Sequence, residues 1–519
     1  MLFLLACAVP AVDPVDPPEH EWPGPDDPPD DTAPPDDTGT LVDGHWDVIV
    51  VGTGPAGTAA ALTAREAGAR VLLLERADDP GLGLVLGGHA FAAGTSWQAV
   101  SGVSDTPEAA QAEWQSITGV SGDTPGVREF LDASADTLTW LQGYGMWVNF
   151  VQGERDAGIV PRIHGMGWGE TATGNARELL TYFDGELRTG VEVTAPLLED
   201  GAVVGVRWTD LATGLDGASA SGAVVLATGG FVRDLDEVAR VIPALAGRRV
   251  VFEASPHSDG GGLPFLRAVG AGSLSPENIG VYVHSIGDPW FPGSESLLAL
   301  GSEEGILVDA AGDRFANEDL QRSFDLFDLL PEGEVYAVLS GTLADALVFS
   351  RPYYNWSTPP DAELPTLDEV LAAGSEDVVV ADTLEDAAVY AGIDPARLVS
   401  TVETFNLGFE TGLPDPYGRN LVRAEPLVGE PWVLLRLSPG LGKNFGGVAT
   451  DIEGHVLDTG GVPIPGLYAA GEVAGMLLGG GGGDGFSGSV NACYWGGRVA
   501  GGSAAAFALP RSDVSGGGD

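Results

Sequence analysis

The chain is short of positive charge. It has one lysine, Lys443, and 24 Lys plus Arg in all, against 75 Asp plus Glu, for a formal net charge of −51 over 519 residues. That balance excludes the basic surfaces that track nucleic acid and disfavours binding to anionic lipid headgroups. Any anionic ligand needs cations placed one at a time. Cysteine is almost as scarce, with only Cys7 and Cys493. Two cysteines cannot ligate an iron–sulfur cluster, and no Cys-x-x-Cys-His offers a haem attachment. A protein that handles electrons with this sequence has no internal wire. No metal site is expected, and no disulfide, because Cys7 sits in a leader-like start.

That start, Met1-Leu-Phe-Leu-Leu-Ala-Cys7, is apolar but too short to cross a bilayer. Leu4-Leu-Ala-Cys7 resembles a bacterial lipobox, which makes Cys7 a candidate lipid anchor; the alternative is a chance apolar terminus. Residues 8–45 are rich in Pro, Asp, Thr and Gly, as in Pro25-Asp-Asp-Pro-Pro-Asp-Asp31, and cannot build a core. They read as a disordered tether. A lipid followed by a tether predicts a body held at the cell envelope of a bacterium, touching membrane only through its anchor. Residues 511–519 read as a disordered tail.

What the body does have is glycine in a pattern. Asp47-Val-Ile-Val-Val51 is followed by Gly52-Thr-Gly54-Pro55-Ala56-Gly57, then by Ala61, Gly68 and Val71-Leu-Leu-Leu-Glu75. This spacing predicts strand, tight turn, helix, strand and a terminal acid. Such a unit puts a pyrophosphate on a helix N-terminus and a ribose on the carboxylate of Glu75. A bare Gly-x-Gly-x-x-Gly means little among 77 glycines; the complete unit means much more.

The unit opens the body, which favours FAD over NAD. A second element agrees with FAD. Ile464-Pro-Gly-Leu-Tyr-Ala-Ala-Gly471-Glu472 predicts a strand that ends in a small-residue turn presenting a carboxylate to a ribityl or ribose hydroxyl. After it come Gly479 to Gly483 and Ser487-Gly-Ser489-Val490-Asn491, where amides at a helix start can face a flavin's pyrimidine edge. Residues 106–145 have amphipathic helical spacing. Val191-Glu-Val193-Thr194 and Val203 to Trp208 read as strands, and Ala223-Val-Val-Leu-Ala227-Thr228-Gly229-Gly-Phe231 as a buried strand with a glycine turn.

Together with Gly497-Arg-Val-Ala-Gly501, these stretches resemble the fumarate reductase/succinate dehydrogenase flavoprotein family, which includes 3-ketosteroid dehydrogenases and urocanate reductases. The resemblance implies an α/β fold. A Rossmann-like FAD-binding domain (46–282 and 443–510) would be interrupted by an α+β capping domain (283–442). It implies a small-molecule substrate between them and an external donor or acceptor such as NAD(P)H, a quinol or a cytochrome. The implied FAD ligands are Gly52, Gly54, Pro55, Ala56, Gly57, Glu75, Arg76, Gly87, Gly88, His89, Ala93, Gly94, Val193, Ala227, Thr228, Gly229, Gly471, Glu472, Ser489 and Val490. In succinate dehydrogenases a histidine near position 89 carries covalent flavin; the loop here is one residue shorter, which argues against attachment at His89.

Gly312-Asp-Arg-Phe-Ala-Asn-Glu318-Asp-Leu-Gln-Arg322 is similar to the family motif whose last arginine protonates the substrate, so Arg322 is the implied acid. A guanidinium serves as an acid only when buried beside a developing carbanion. The competing reading is a salt bridge from Arg322 to Glu318 or Asp325. Asp415-Pro-Tyr-Gly-Arg419 resembles a structural landmark. Lys443 stands where fumarate reductases have a substrate-binding histidine, and is expected to orient substrate with Asn444 or to stabilise reduced flavin; the bland reading is a surface lysine. His284 lies near the family's other substrate histidine, or is structural.

Two departures bear on substrate. The arginine that grips the second carboxylate in fumarate reductases is missing from Gly485-Phe-Ser-Gly488, and the proton-relay pair has no counterpart in Ser296 to Gly305. The expected reaction is hydride transfer between flavin and an activated C=C or CH–CH bond, but not on a dicarboxylate. A ketosteroid-type dehydrogenase and a non-catalytic envelope flavoprotein remain open alternatives.

Overall fold

The computed structural model describes residues 42–81, 89–151, 160–166, 170–290, 295–320, 326, 329–350, 364–482 and 488–510. The expectations for Cys7, Gly87, Gly88, Arg322 and the 485–487 loop lie outside these residues. Helix α1 (Pro55–Glu66) and strand β2 (Val71–Leu74) follow the spacing of the glycine unit, whereas strand β1 (Val42–Val51) begins before the expected Asp47 and takes residues 42–45, read as the end of the tether, into the sheet. Helices α2 (Pro107–Thr118) and α3 (Pro125–Gly143) occupy the amphipathic stretch. Strands β3 (Glu186–Arg188), β4 (Val191–Glu199), β5 (Ala202–Asp210) and β6 (Leu215–Leu226) come next. A second group follows: β7 (Val251–Phe252), β8 (Ile279–Gly287), β9 (Ser296–Leu300), β10 (Ile306–Asp309), β11 (Val335–Ser340), β12 (Val348–Ser350), β13 (Val378–Ala381) and β14 (Trp432–Asn444). The chain then returns through β15 (His455–Leu457), β16 (Pro463–Ala469) and helix α4 (Val490–Ala508).

The first sheet runs β15-β16-β6-β1-β2-β3, with β5 added to β6 and β4 to β5. Its inner strands are parallel. Both faces are covered, so Val48–Val51 of β1 and all of β2 are apolar without alternating in polarity. Ile49, Val51, Leu72 and Leu74 enter one core, and Val48, Val50, Val71 and Leu73 enter the core on the opposite face. Helices α1 and α4 cross backbone to backbone on that second core. A Cβ at Gly497 would lie 2.1 Å from the Ala56 carbonyl oxygen, and one at Gly501 2.3 Å from that of Ala60. That close approach is the physical content of the Gly497–Gly501 motif.

Register brings the carboxyl ends of the parallel strands to one edge. Val51 pairs with both Leu74 and Leu226, and Leu226 with Ala469. The residues that leave these strands (Gly52, Glu75, Ala227 and Ala470) therefore emerge side by side. Ligands of open parallel sheets bind at this edge.

The second sheet runs β10-β11-β14-β8-β9-β12, and β7 and β13 also pair with β14. The 13-residue β14 is its spine and leads back to the first sheet. The cap limits expected at 283 and 442 both fall within strands of this sheet, β8 and β14. Its pairing extends back to Val251. Among the described residues no helix is long and apolar enough to cross a membrane.

Candidate cofactor and active site

An elongated cavity lies along the carboxyl edge of the first sheet. One wall is the turn Gly52 to Ala56, where α1 begins. Gly54 is its N-cap without a side-chain cap, Pro55 occupies the first turn, and the first-turn amides carry no side-chain acceptor. Gly57 sits under this turn rather than on the cavity: a Cβ there would lie 1.8 Å from the Gly52 carbonyl oxygen. Its role is to let α1 start this close to β1.

At one end Glu75 lines the cavity. Its Oε2 accepts from Thr53 N (2.8 Å) and Thr53 Oγ1 (2.6 Å), and its Oε1 from Ala77 N (2.8 Å). Arg76 lies beside it and donates to Asp259 at 2.7 Å. Val193 of β4 lines the same cavity, as do Ser255, His257 and Ser258 of the turn leading to Gly262. The sequence reading missed that turn. Its one signal was the run Ser258-Asp-Gly-Gly-Gly262 between two strands.

The middle is formed by Ala227, Thr228 and Gly229 after β6, and by Gly471 and Glu472 after β16. Glu472 is enclosed by protein and only partly open to the cavity. Burial pushes its carboxyl up to about 7, although the Asn444 amide and the Lys443 charge pull the other way. Asn444 ties the parts together. Its N–H donates to Glu472 Oε1 at 2.8 Å, and its Oδ1 accepts from Phe231 N at 2.8 Å. A Cβ at Gly230 would lie 2.3 Å from both Asn444 Oδ1 and Glu472 Oε1, so glycine is required there. Asn444 is fully buried beneath the cavity and does not line it.

The far end holds Lys443, Ser489, Val490 and Cys493. Lys443 Nζ donates to Ser489 Oγ at 3.1 Å and stands 5.1 Å from the Phe445 ring centroid. Burial, with Glu472 nearby, pushes the Cys493 thiol up to about 12, which disfavours the nucleophilic thiolate. The place of Cys493 on this cavity was missed from sequence.

Three further expected ligands lie off the cavity. His89 opens a short strand paired with Gly165, Ala93 is buried with its N–H on Ser134 Oγ (3.1 Å), and Gly94 follows it with φ +71°. His284 lies on β8 in the second sheet, apart from this cavity. Its Nε2 is 3.6 Å from Glu253 Oε1, which accepts from Ser285 Oγ at 2.7 Å. A Cβ at Gly440 would lie 2.0 Å from that Glu253 oxygen, so β14 is cut away to admit the carboxylate. Glu253 was not singled out from sequence.

The motif before Arg322 is locked in a buried network. Arg314 Nε and Nη2 donate to Glu318 at 2.7 and 2.6 Å, Arg314 also pairs with Asp415, and Arg419 reaches Glu318 at 3.3 Å. Glu318, one of the alternative partners for Arg322, is thus engaged by two other arginines.

The residues present fit FAD. The carboxylate, uncapped helix start and small-residue turns form a continuous cradle. Thr228 Oγ1 in its wall is a buried hydroxyl without a hydrogen-bond partner among the described residues. A cofactor bearing many hydroxyls and phosphates supplies what these groups lack.

Comparison with known proteins agrees. Residues 47–486 match the family described as FAD binding domain. The chain belongs to that family. The flavoprotein is 27% identical to vinyl phenol reductase of Lactiplantibacillus plantarum, over 91% of this chain and 98% of that one. It is 29% identical to urocanate reductase of Eggerthella lenta, over 89% of this chain and 75% of that one. The open conformation of a flavocytochrome c3 fumarate reductase superposes with a TM-score of 0.69 at 24% identity, covering 90% of this chain and 79% of the other. This flavoprotein is an FAD-dependent oxidoreductase acting on C=C or CH–CH bonds.

Proposed function

We propose that this flavoprotein reduces the activated C=C bond of a substrate that is not a dicarboxylate. One observation carries the reading. Among the described residues, the only Lys or Arg side chains on the cavity are Arg76 and Lys443, and Arg76 lies at the Glu75 end in a pair with Asp259. Among the described residues the opposite end thus offers a single cation, Lys443, and the stretch Gly485-Phe-Ser-Gly488, where fumarate reductases have the arginine for a second carboxylate, has none. The names of the two relatives, a vinyl phenol reductase and a urocanate reductase, support the same class.

Bound FAD, reduced by an external donor, supplies the hydride. Arg322 supplies the proton to the neighbouring carbon, and His284, oriented by Glu253, binds the group that activates the double bond. Movement of the second sheet toward the first would exclude water from the transfer. Dye-linked turnover of 4-vinylphenol, urocanate and fumarate tests the substrate class; fumarate as the preferred acceptor would contradict it. Arg322→Ala should retain FAD and lose turnover at least 100-fold, the scale of general acid catalysis. Unaltered turnover in that variant removes Arg322 from the mechanism. The envelope anchor belongs to this proposal too. Metabolic labelling should attach lipid at Cys7, and an unlabelled protein argues against it.

A further inference from the structure

Lys443 is the only lysine in the chain. Its surroundings fix it to the cofactor side of the molecule. The next residue, Asn444, is bonded through its N–H to Glu472 and through its Oδ1 to Phe231 N, so the backbone here is tied to two strand-end turns of the first sheet. The ammonium is aimed by Ser489 Oγ at 3.1 Å and flanked by the Phe445 ring. Ser489 is the N-cap of α4 and makes no side-chain cap bond of its own. The positive end of that helix and the ammonium therefore face the same space. The Lys443 charge is felt inside the cavity, where it opposes the burial shift of both Glu472 and Cys493.

The direction of the cradle says which part of FAD meets this end. Glu75 takes the adenosine ribose, and the start of α1 takes the pyrophosphate. The ring system then lies at the end lined by Lys443, Ser489, Val490 and Cys493. Uptake of two electrons and one proton from the external donor leaves the ring with one more negative charge than before. A fixed cation beside it binds that form more tightly than the oxidised one.

We propose that Lys443 acts on the flavin rather than on the substrate: it stabilises the reduced ring and raises the midpoint potential of the bound cofactor. This rests on FAD occupying the cavity and not on the substrate class. A lysine acting on the cofactor would thus stand where the resemblance has a substrate-binding histidine.

The test is an anaerobic equilibrium titration of the holoprotein against redox dyes at neutral pH, for wild type, Lys443→Met and Lys443→Arg. FAD content is read from the absorption spectrum. Lys443→Met should weaken binding of reduced relative to oxidised flavin at least tenfold, a fall in potential of about 30 mV for a two-electron couple. Lys443→Arg should keep most of the wild-type value. Should Lys443→Met fail to hold FAD, Lys443→Gln, which is neutral but polar, is titrated in its place and should show the same fall. An unchanged potential in the neutral variant overturns the proposal, because a lysine that only positions protein or substrate does not move it.

Discussion

Replacing Glu472 by Gln should make the FAD-free protein more stable at pH 8 and change it little near pH 5. The Glu472 carboxyl is held near 7 in the fold, against 4.5 for a free glutamate, chiefly by burial. A raised value means the folded state keeps a proton that the unfolded chain has already released. Stability from this group is complete below about 4.5, is lost as pH rises toward 7, and stays lost above it. Holding the carboxyl near 7 rather than 4.5 corresponds to roughly 3 kcal/mol, and water in the cavity screens it to about 2 kcal/mol. Gln keeps the acceptor for the Asn444 amide and cannot ionise. Unfolding entropy of about 2 cal/mol/K per residue, over a unit of roughly 300 residues, converts this to about 3 °C in Tm. The assay is thermal unfolding of FAD-free wild type and Glu472→Gln at both pH values. The difference between the two proteins matters, because many other acids also titrate in this range. An equal difference at pH 5 and pH 8, or a variant less stable at pH 8, would refute the reasoning.

Two further outcomes follow from named contacts. Thr228→Val should leave the FAD-free protein intact and weaken FAD binding about tenfold, the worth of one net hydrogen bond. Flavin fluorescence titration reads it, and unchanged affinity would mean that the orphan hydroxyl does not meet the cofactor. Arg314→Met strands the buried carboxylates of Glu318 and Asp415 and should cost about 3–5 kcal/mol. A urea midpoint close to that of wild type would show that the network is not structural.

The cofactor half of the site was legible because its chemistry is local. Gly52, Gly54, Glu75, Thr228 and Glu472 each stand at the end of an apolar strand, and strand ends can be read from runs such as Val71–Leu74. The wall formed by Ser255 to Asp259 was not legible. Its contact with Arg76 spans 183 residues, and the one local mark, the run Ser258-Asp-Gly-Gly-Gly262, does not say what it meets. Gly57 and Asn444 show the converse. Their positions next to the cavity are legible, but a residue's spacing does not say whether it faces the ligand or the layer beneath it. The second sheet was the hardest to read. Its spine, β14, takes partners from segments as distant as Val251, and the expected cap limits at 283 and 442 fall within strands. Glu253 was invisible for the same reason: its neighbours Ser285 and Gly440 come from two different strands.

The central claim is that FAD in this cavity reduces a C=C bond of a substrate that is not a dicarboxylate. It is tested most directly by photoreducing the purified holoprotein without oxygen and adding one acceptor at a time. The account predicts one FAD per chain and full return of the oxidised flavin band on addition of 4-vinylphenol or urocanate, with fumarate slow or inert. A protein that binds no flavin, or one that only fumarate reoxidises, would contradict it.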